Sequence, residues 1–96
     1  MAAFIVATVN PDPRVDAAIA QEFPGRSYRF SDRVSFVEAK GSAADVAGRL
    51  GVKTRVEGQP FDGVTNIVVN KLAPSYYGFY GKDLWDWLQG ALEREV

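Results

Sequence analysis

The chain has no cysteine and no histidine. Without cysteine there is no disulfide framework, no thiolate nucleophile and no thiolate metal site. Without histidine the commonest general base, the commonest metal ligand and the usual pH switch are gone as well. An excess of either charge is also lacking: 11 Lys and Arg face 12 Asp and Glu, for a net charge of −1. A protein that holds duplex nucleic acid through its phosphates usually carries a basic excess, so nucleic acid is not the favoured partner. The cations are nevertheless unevenly spread, with Arg26, Arg29, Arg33, Lys40, Arg49, Lys53 and Arg55 set against Asp32, Glu38 and Asp45. Long apolar runs are missing too. The opening MAAFIVATV lacks a basic segment and is too short for a signal peptide or a membrane span, which leads to the expectation of a cytoplasmic protein with no membrane association.

What is present describes one domain spanning 1–96, with hydrophobic and charged shares of 47% and 24% that suit a soluble globular chain. A chain of this length buries about 60–65% of its unfolded surface, enough for one core without staples. Phe4–Val9 is a nearly continuous apolar run ended by Asn10-Pro11, the pattern of a strand buried on both faces. Asp12-Pro13 then announces a helix, because Asp12 can accept from free N–H groups and Pro13 at the first position forfeits no hydrogen bond. Val15, Ala18, Ile19 and Phe23 give that helix one apolar face, and Pro24-Gly25 ends it. Ser27–Lys40 alternates on either side of Ser31-Asp32-Arg33 and reads as an antiparallel hairpin whose turn has no glycine.

Ser42 and Asp45 stand three apart at the head of a second helix, as in a capping box, with Ala43, Val46, Ala47 and Leu50 as the apolar stripe and Gly51 as its stop. Val52, Thr54 and Val56 alternate with charged residues and suggest a short edge strand before a Gly/Pro loop. Val64–Leu72 reads as the last strand, ended by Ala73-Pro74. A helix beginning near Asp83 carries Leu84, Leu88, Ala91 and Leu92 on one stripe with Trp85 and Trp87 on its two margins. One tryptophan is expected in the core and the other at a subunit contact.

This order predicts an α+β fold, a ferredoxin-like βαββαβ sandwich with an additional C-terminal helix. The first strand would be central. The sheet face away from the first two helices needs a cover, from the third helix or from a second copy, so a homodimer is expected. The outline of strand, helix, hairpin, the segment SAADVAGRL, a final strand, an aromatic-glycine stretch and a WL-containing helix resembles a group of small ferredoxin-like bacterial proteins related to the CRISPR-associated adaptation subunit and its toxin-like relatives. The resemblance implies nucleic-acid binding or metal-dependent nuclease activity. In the nuclease-like members the first strand ends in a metal-binding aspartate, whereas Val9 and Asn10 stand at the matching place here.

The residues offer two candidate sites. Half of the chain's twelve aromatic residues fall between Tyr76 and Trp87. Tyr76, Tyr77, Phe79 and Tyr80, with Lys82 and Trp87, could contact a protein partner, since tyrosine is enriched at interfaces, or could stack single-stranded bases beside a cation. Packing of these rings into the core is the plainer alternative, helped by Gly78 and Gly81. Asp12 and Asp16, four apart, could bind Mg²⁺, but a helix cap and a favourable first-turn charge account for both. No serine has a histidine to activate it, and no phosphate loop is present. These features together read as a non-enzymatic interaction module that uses the aromatic loop and C-terminal helix, needs no cofactor, and has a nucleic-acid-binding or nuclease relative as the alternative.

Overall fold

The computed structural model describes residues 1–73 and 81–93. Its elements run β1 (Ala2–Thr8), α1 (Pro13–Glu22), β2 (Ser27–Arg29), β3 (Val34–Ala39), α2 (Ala43–Arg49), β4 (Ile67–Lys71) and α3 (Lys82–Glu93). The four strands form one sheet in the order β2-β3-β1-β4, and every neighbouring pair is antiparallel. The result is an α+β fold with an antiparallel sheet and three helices.

β1 is central because both of its faces are apolar. Phe4 and Val6 point to one side, where they join Val15, Ile19 and Phe23 of the α1 region, Val46 and Leu50 of the α2 region, and Val37 and Ala39 of β3. Ala3 and Ile5 point to the other side, where α3 supplies Leu84, Leu88 and Ala91, with Phe36 of β3 and Tyr28 of β2. Thus α1 and α2 cover one face and α3 covers the other. Each large apolar side chain fully buried in this way contributes about 1.5–3 kcal/mol. The run ends sooner than its composition suggests: β1 stops at Thr8, and Val9 is left 62% exposed.

Local chemistry sets the helix ends. Asp12 is extended (φ −130°) and its carboxylate accepts from the Arg14 N–H at 3.0 Å, with Pro13 opening α1. At α2 the capping box is complete: Ser42 Oγ accepts from the Asp45 N–H at 3.1 Å, and Asp45 Oδ2 accepts from the Ser42 N–H at 2.8 Å. These bonds hold the Asp45 carboxyl below its usual range, the backbone bond from Ser42 being the larger cause. The β2–β3 turn closes without glycine because the N–H groups of Phe30 and Ser31 both donate to the Val34 carbonyl, and the Ser31 hydroxyl accepts from the Arg33 N–H.

Two expectations fail between α2 and β4. Residues 52–63 contain no strand. The Val52 N–H is spent on the Ala47 carbonyl at the end of α2, and the Val64 N–H donates to the Gly51 carbonyl, so the segment is a loop closed at its base. β4 begins at Ile67, not Val64, because Asn66 takes a left-handed conformation (φ 57°) that breaks the strand, while Val64 turns into the core. The two tryptophans share one environment. Both are half-buried and pack against the cluster of Phe36, Leu84 and Leu88 on the α3 face of the sheet, so no single one is the core residue.

Gly48 and Gly41 give opposite outcomes on substitution. A Cβ at the exposed, mid-helix Gly48 meets no atom within 4 Å, whereas one at Gly41 (φ 97°) would lie 2.5 Å from Asp45 Oδ2. Chemical denaturation should show Gly48→Ala stabilising by about 0.5–1 kcal/mol and Gly41→Ala destabilising by at least as much. For Asp45, the depressed folded value means that its stabilising contribution is present above the unfolded value of 3.8 and is lost as pH falls through the lowered folded value. Asp45→Asn should therefore flatten the acid side of the melting-temperature profile.

Candidate functional site

Of the residues singled out from sequence, Tyr76, Tyr77, Phe79 and Tyr80 lie outside the described residues. Their flanks are fixed. Just after β4 the Leu72 N–H donates to the Ala3 carbonyl at 2.8 Å, and at the start of α3 the Leu84 N–H donates to the Gly81 carbonyl at 3.2 Å. The aromatic run therefore connects two anchored points, the end of an edge strand and the start of the helix covering the sheet.

α3 is fastened at its first turn and along its middle. The Tyr28 hydroxyl donates to Asp83 Oδ2 at 2.6 Å. The Tyr28 ring lies against Trp87 with centroids 6.4 Å apart and a tilt of 50°. Phe36 meets Trp87 at 6.4 Å and stands edge-on to Phe30 at 5.9 Å. Trp87 also reaches the cluster of Ala3, Ala91 and Leu72. Trp87 is thus half-buried and fastens α3 to β1, β2 and β3. Lys82 has another role: it is exposed, and its Nζ pairs with Asp86 Oδ2 one turn on at 3.0 Å. A pair this exposed contributes about 0.3–0.5 kcal/mol, so Lys82 remains available to a partner.

Asp12 and Asp16 do not converge. Asp12 caps α1, whereas Asp16 Oδ1 pairs with Arg29 Nη1 of β2 at 2.8 Å. No group of three or more Asp or Glu among the described residues is placed to hold a metal ion. At Val9, where the resemblance would put a metal-binding aspartate, the backbone N–H donates to the Asn66 carbonyl at 3.0 Å and the side chain is apolar.

Sequence reasoning missed two places. The first is the outer edge of β4, the last strand of the sheet, whose second residue, Val68, is 60% exposed on the sheet face opposite Ile67 and Val69. The second is a cleft of about 360 Å³ where the end of α1 meets the end of β3, lined by Glu22, Phe23, Pro24, Arg26, Glu38, Lys40 and Arg49 among others. Glu38 is the unexpected member, since its side chain is only 3% exposed and its Oε1 accepts from Arg26 Nη1 at 3.0 Å. The available signal was its spacing from Phe36. Two positions along a strand share a face, so an acid stood on the buried side.

Among the described residues, no helix is long and apolar enough to cross a membrane. No protein-family model, curated protein or solved structure matches the chain.

The fastening of α3 can be taken apart in steps. Tyr28→Phe removes the hydroxyl that bonds Asp83 and should cost about 1 kcal/mol in urea denaturation. Trp87→Ala removes the ring shared by two clusters and should cost about 2–4 kcal/mol.

Proposed function

We propose that the chain is a small, non-enzymatic, cytoplasmic interaction module with a ferredoxin-like βαββαβ core and an added C-terminal helix. It associates with a second copy and docks a protein partner through the aromatic run and the exposed side of α3. The ferredoxin-like assignment is supported by β1 lying between β3 and β4, by β2 lying outermost, and by α1 and α2 sharing one face.

The observation that carries the reading is the outer edge of β4. Pairing through Leu72 with Ala3 and Val9 with Asn66 sets the alternation of the ladder. Residues 66, 68, 70 and 72 then face β1, and Ile67 and Val69 direct their backbone N–H and C=O groups outward. β4 ends the sheet, and no strand among the described residues pairs with that side. Natural proteins blunt open edges with charge, proline or bulges; β4 has Lys71 at its end, but its second residue, Val68, is an exposed valine. An open edge of this kind suits strand addition, in which main-chain bonds give affinity and alternate side chains give specificity. The aromatic run follows β4 directly in sequence. α3 cannot supply this edge, because it covers a face of the sheet.

Native mass spectrometry on protein purified from its own host tests the reading. A dimer is expected, reduced to monomer by Val68→Lys, together with a bound protein that Tyr77→Ala removes. A bare monomer at micromolar concentration would contradict the proposal. A mass increment matching oligonucleotide would replace it with the nucleic-acid-binding reading that the family resemblance implies.

A further inference from the structure

On the face of the sheet that α1 covers, a hollow of about 140 Å³ opens between the helix and β2. The described residues around it all belong to α1, β2 and β3: Asp16, Ile19, Ala20, Ser27, Arg29 and Ser35. β2 lies at the opposite edge of the sheet from β4, so the hollow takes no part in strand addition there. We propose that it binds a small zwitterionic amino acid, one whose side chain is no longer than that of serine.

The register brings the polar groups together. The Glu38 N–H donates to the Arg26 carbonyl and the Phe30 N–H to the Val34 carbonyl, which marks the hydrogen-bonded pairs of β2 and β3. Arg29 and Ser35 therefore form a pair of the other kind, with Cα atoms about 4.5 Å apart and side chains at their closest. Ser27 and Ser35 share their face with Val37, which joins Ile19 in the core beneath α1. From α1, Asp16 Oδ1 reaches Arg29 Nη1 at 2.8 Å. A cation, an anion and two hydroxyls thus line one hollow.

Ser35 is the residue that points to a ligand. It is only 6% exposed, yet its hydroxyl has no hydrogen-bond partner among the described residues. No fully sealed side-chain oxygen or nitrogen among them lacks a partner, so Ser35 Oγ is open to the hollow it lines. Val37 beside it and Val6 opposite it on β1 are the apolar residues that such burial usually selects. A hydroxyl kept there without a protein partner costs stability unless something else bonds it.

Charge and size select the ligand class. The contact of Asp16 with Arg29 uses one oxygen and one nitrogen, which leaves Asp16 Oδ2 and Arg29 Nε and Nη2 to offer. A lone carboxylate drawn to Arg29 would meet Asp16, and a lone ammonium drawn to Asp16 would meet Arg29. An amino acid carries both charges a short distance apart. Its carboxylate can accept from Arg29 and the Ser35 hydroxyl, opposite each other across the strands, while its ammonium donates to Asp16. The hollow has the liquid volume of roughly four to five waters, which suits glycine, alanine or serine and excludes an aromatic side chain.

Amide chemical shifts of the full chain, followed during titration with glycine, L-alanine, L-phenylalanine, acetate and methylammonium, test the proposal. Saturable shifts centred on Ala20, Ser27, Arg29 and Ser35 are expected from glycine and alanine, and not from the other three. Ser35→Ala breaks no side-chain bond within the fold, so the melting temperature should hold or rise while glycine binding weakens about tenfold. Ala20→Leu, at an exposed position of α1, keeps every polar group, fills the hollow and should abolish binding with the fold intact. Absence of saturable shifts with glycine and alanine, equal saturation by phenylalanine, acetate or methylammonium, or binding unchanged in either variant would overturn the proposal. None of these results bears on dimerisation at β4, so the two readings fail independently.

Discussion

Burial of β1 on both faces is the constraint on which the other elements depend. A strand with Phe4 and Val6 on one side and Ala3 and Ile5 on the other cannot sit at an edge or under a single layer without leaving apolar surface in water. Its flanks must be strands, and β3 and β4 take those places. Both faces must be covered, and the three helices divide them two and one. The small residues at the crossing matter here. Ala3 and Ala91 are both fully buried, and their size allows α3 to approach the sheet closely. A second copy is not needed to cover that face. The sheet keeps two edges, at β2 and β4, and the proposed self-association uses the longer one, β4.

The same constraint positions the candidate surface and the buried ion pair. Packing among Tyr28, Phe36 and Trp87 fixes the start of α3, and pairing with β1 fixes the end of β4, the two described elements that flank the aromatic run in sequence. At the opposite end of β1, antiparallel pairing brings the end of β3 beside the start of β1, so that Glu38 stands opposite Ala3. Glu38 is buried there and accepts a hydrogen bond from Arg26 at the start of the hairpin. A buried ion pair is weak evidence for stability, because desolvation offsets much of the attraction. Its more definite consequence is a guanidinium held in one orientation.

Much of the fold was legible because local chemistry and tertiary packing agree. Asp12-Pro13 and Ser42 with Asp45 name helix starts whose bonds are present, and the continuous apolarity of Phe4–Val6 names a central strand. Where the sequence misled, a bond or backbone conformation that the apolar pattern does not encode decided. Val52–Val56 alternates as a strand does, but the Val52 N–H is taken by the Ala47 carbonyl of α2 and no strand among the described residues pairs with the segment. Val64-Thr65 has strand composition, yet the left-handed Asn66 separates it from β4. The Arg26–Glu38 pair depends on the β2–β3 register, which no spacing within either segment reveals. The exposed edge of β4 was likewise hidden, since the sequence marks a strand but not which side of it lacks a neighbour.

Native-state hydrogen exchange measures the two-faced burial of β1 most directly. Amides of β1 should exchange through global unfolding alone, and those of α3 from Leu84 to Ala91 should be protected far beyond an isolated helix, whose short length would leave it marginal in water. Rapid exchange across α3 while β1 stays protected would show that the helix does not cover the sheet. The second face of β1 would then need another cover, which would contradict its burial between two helical layers of the same chain.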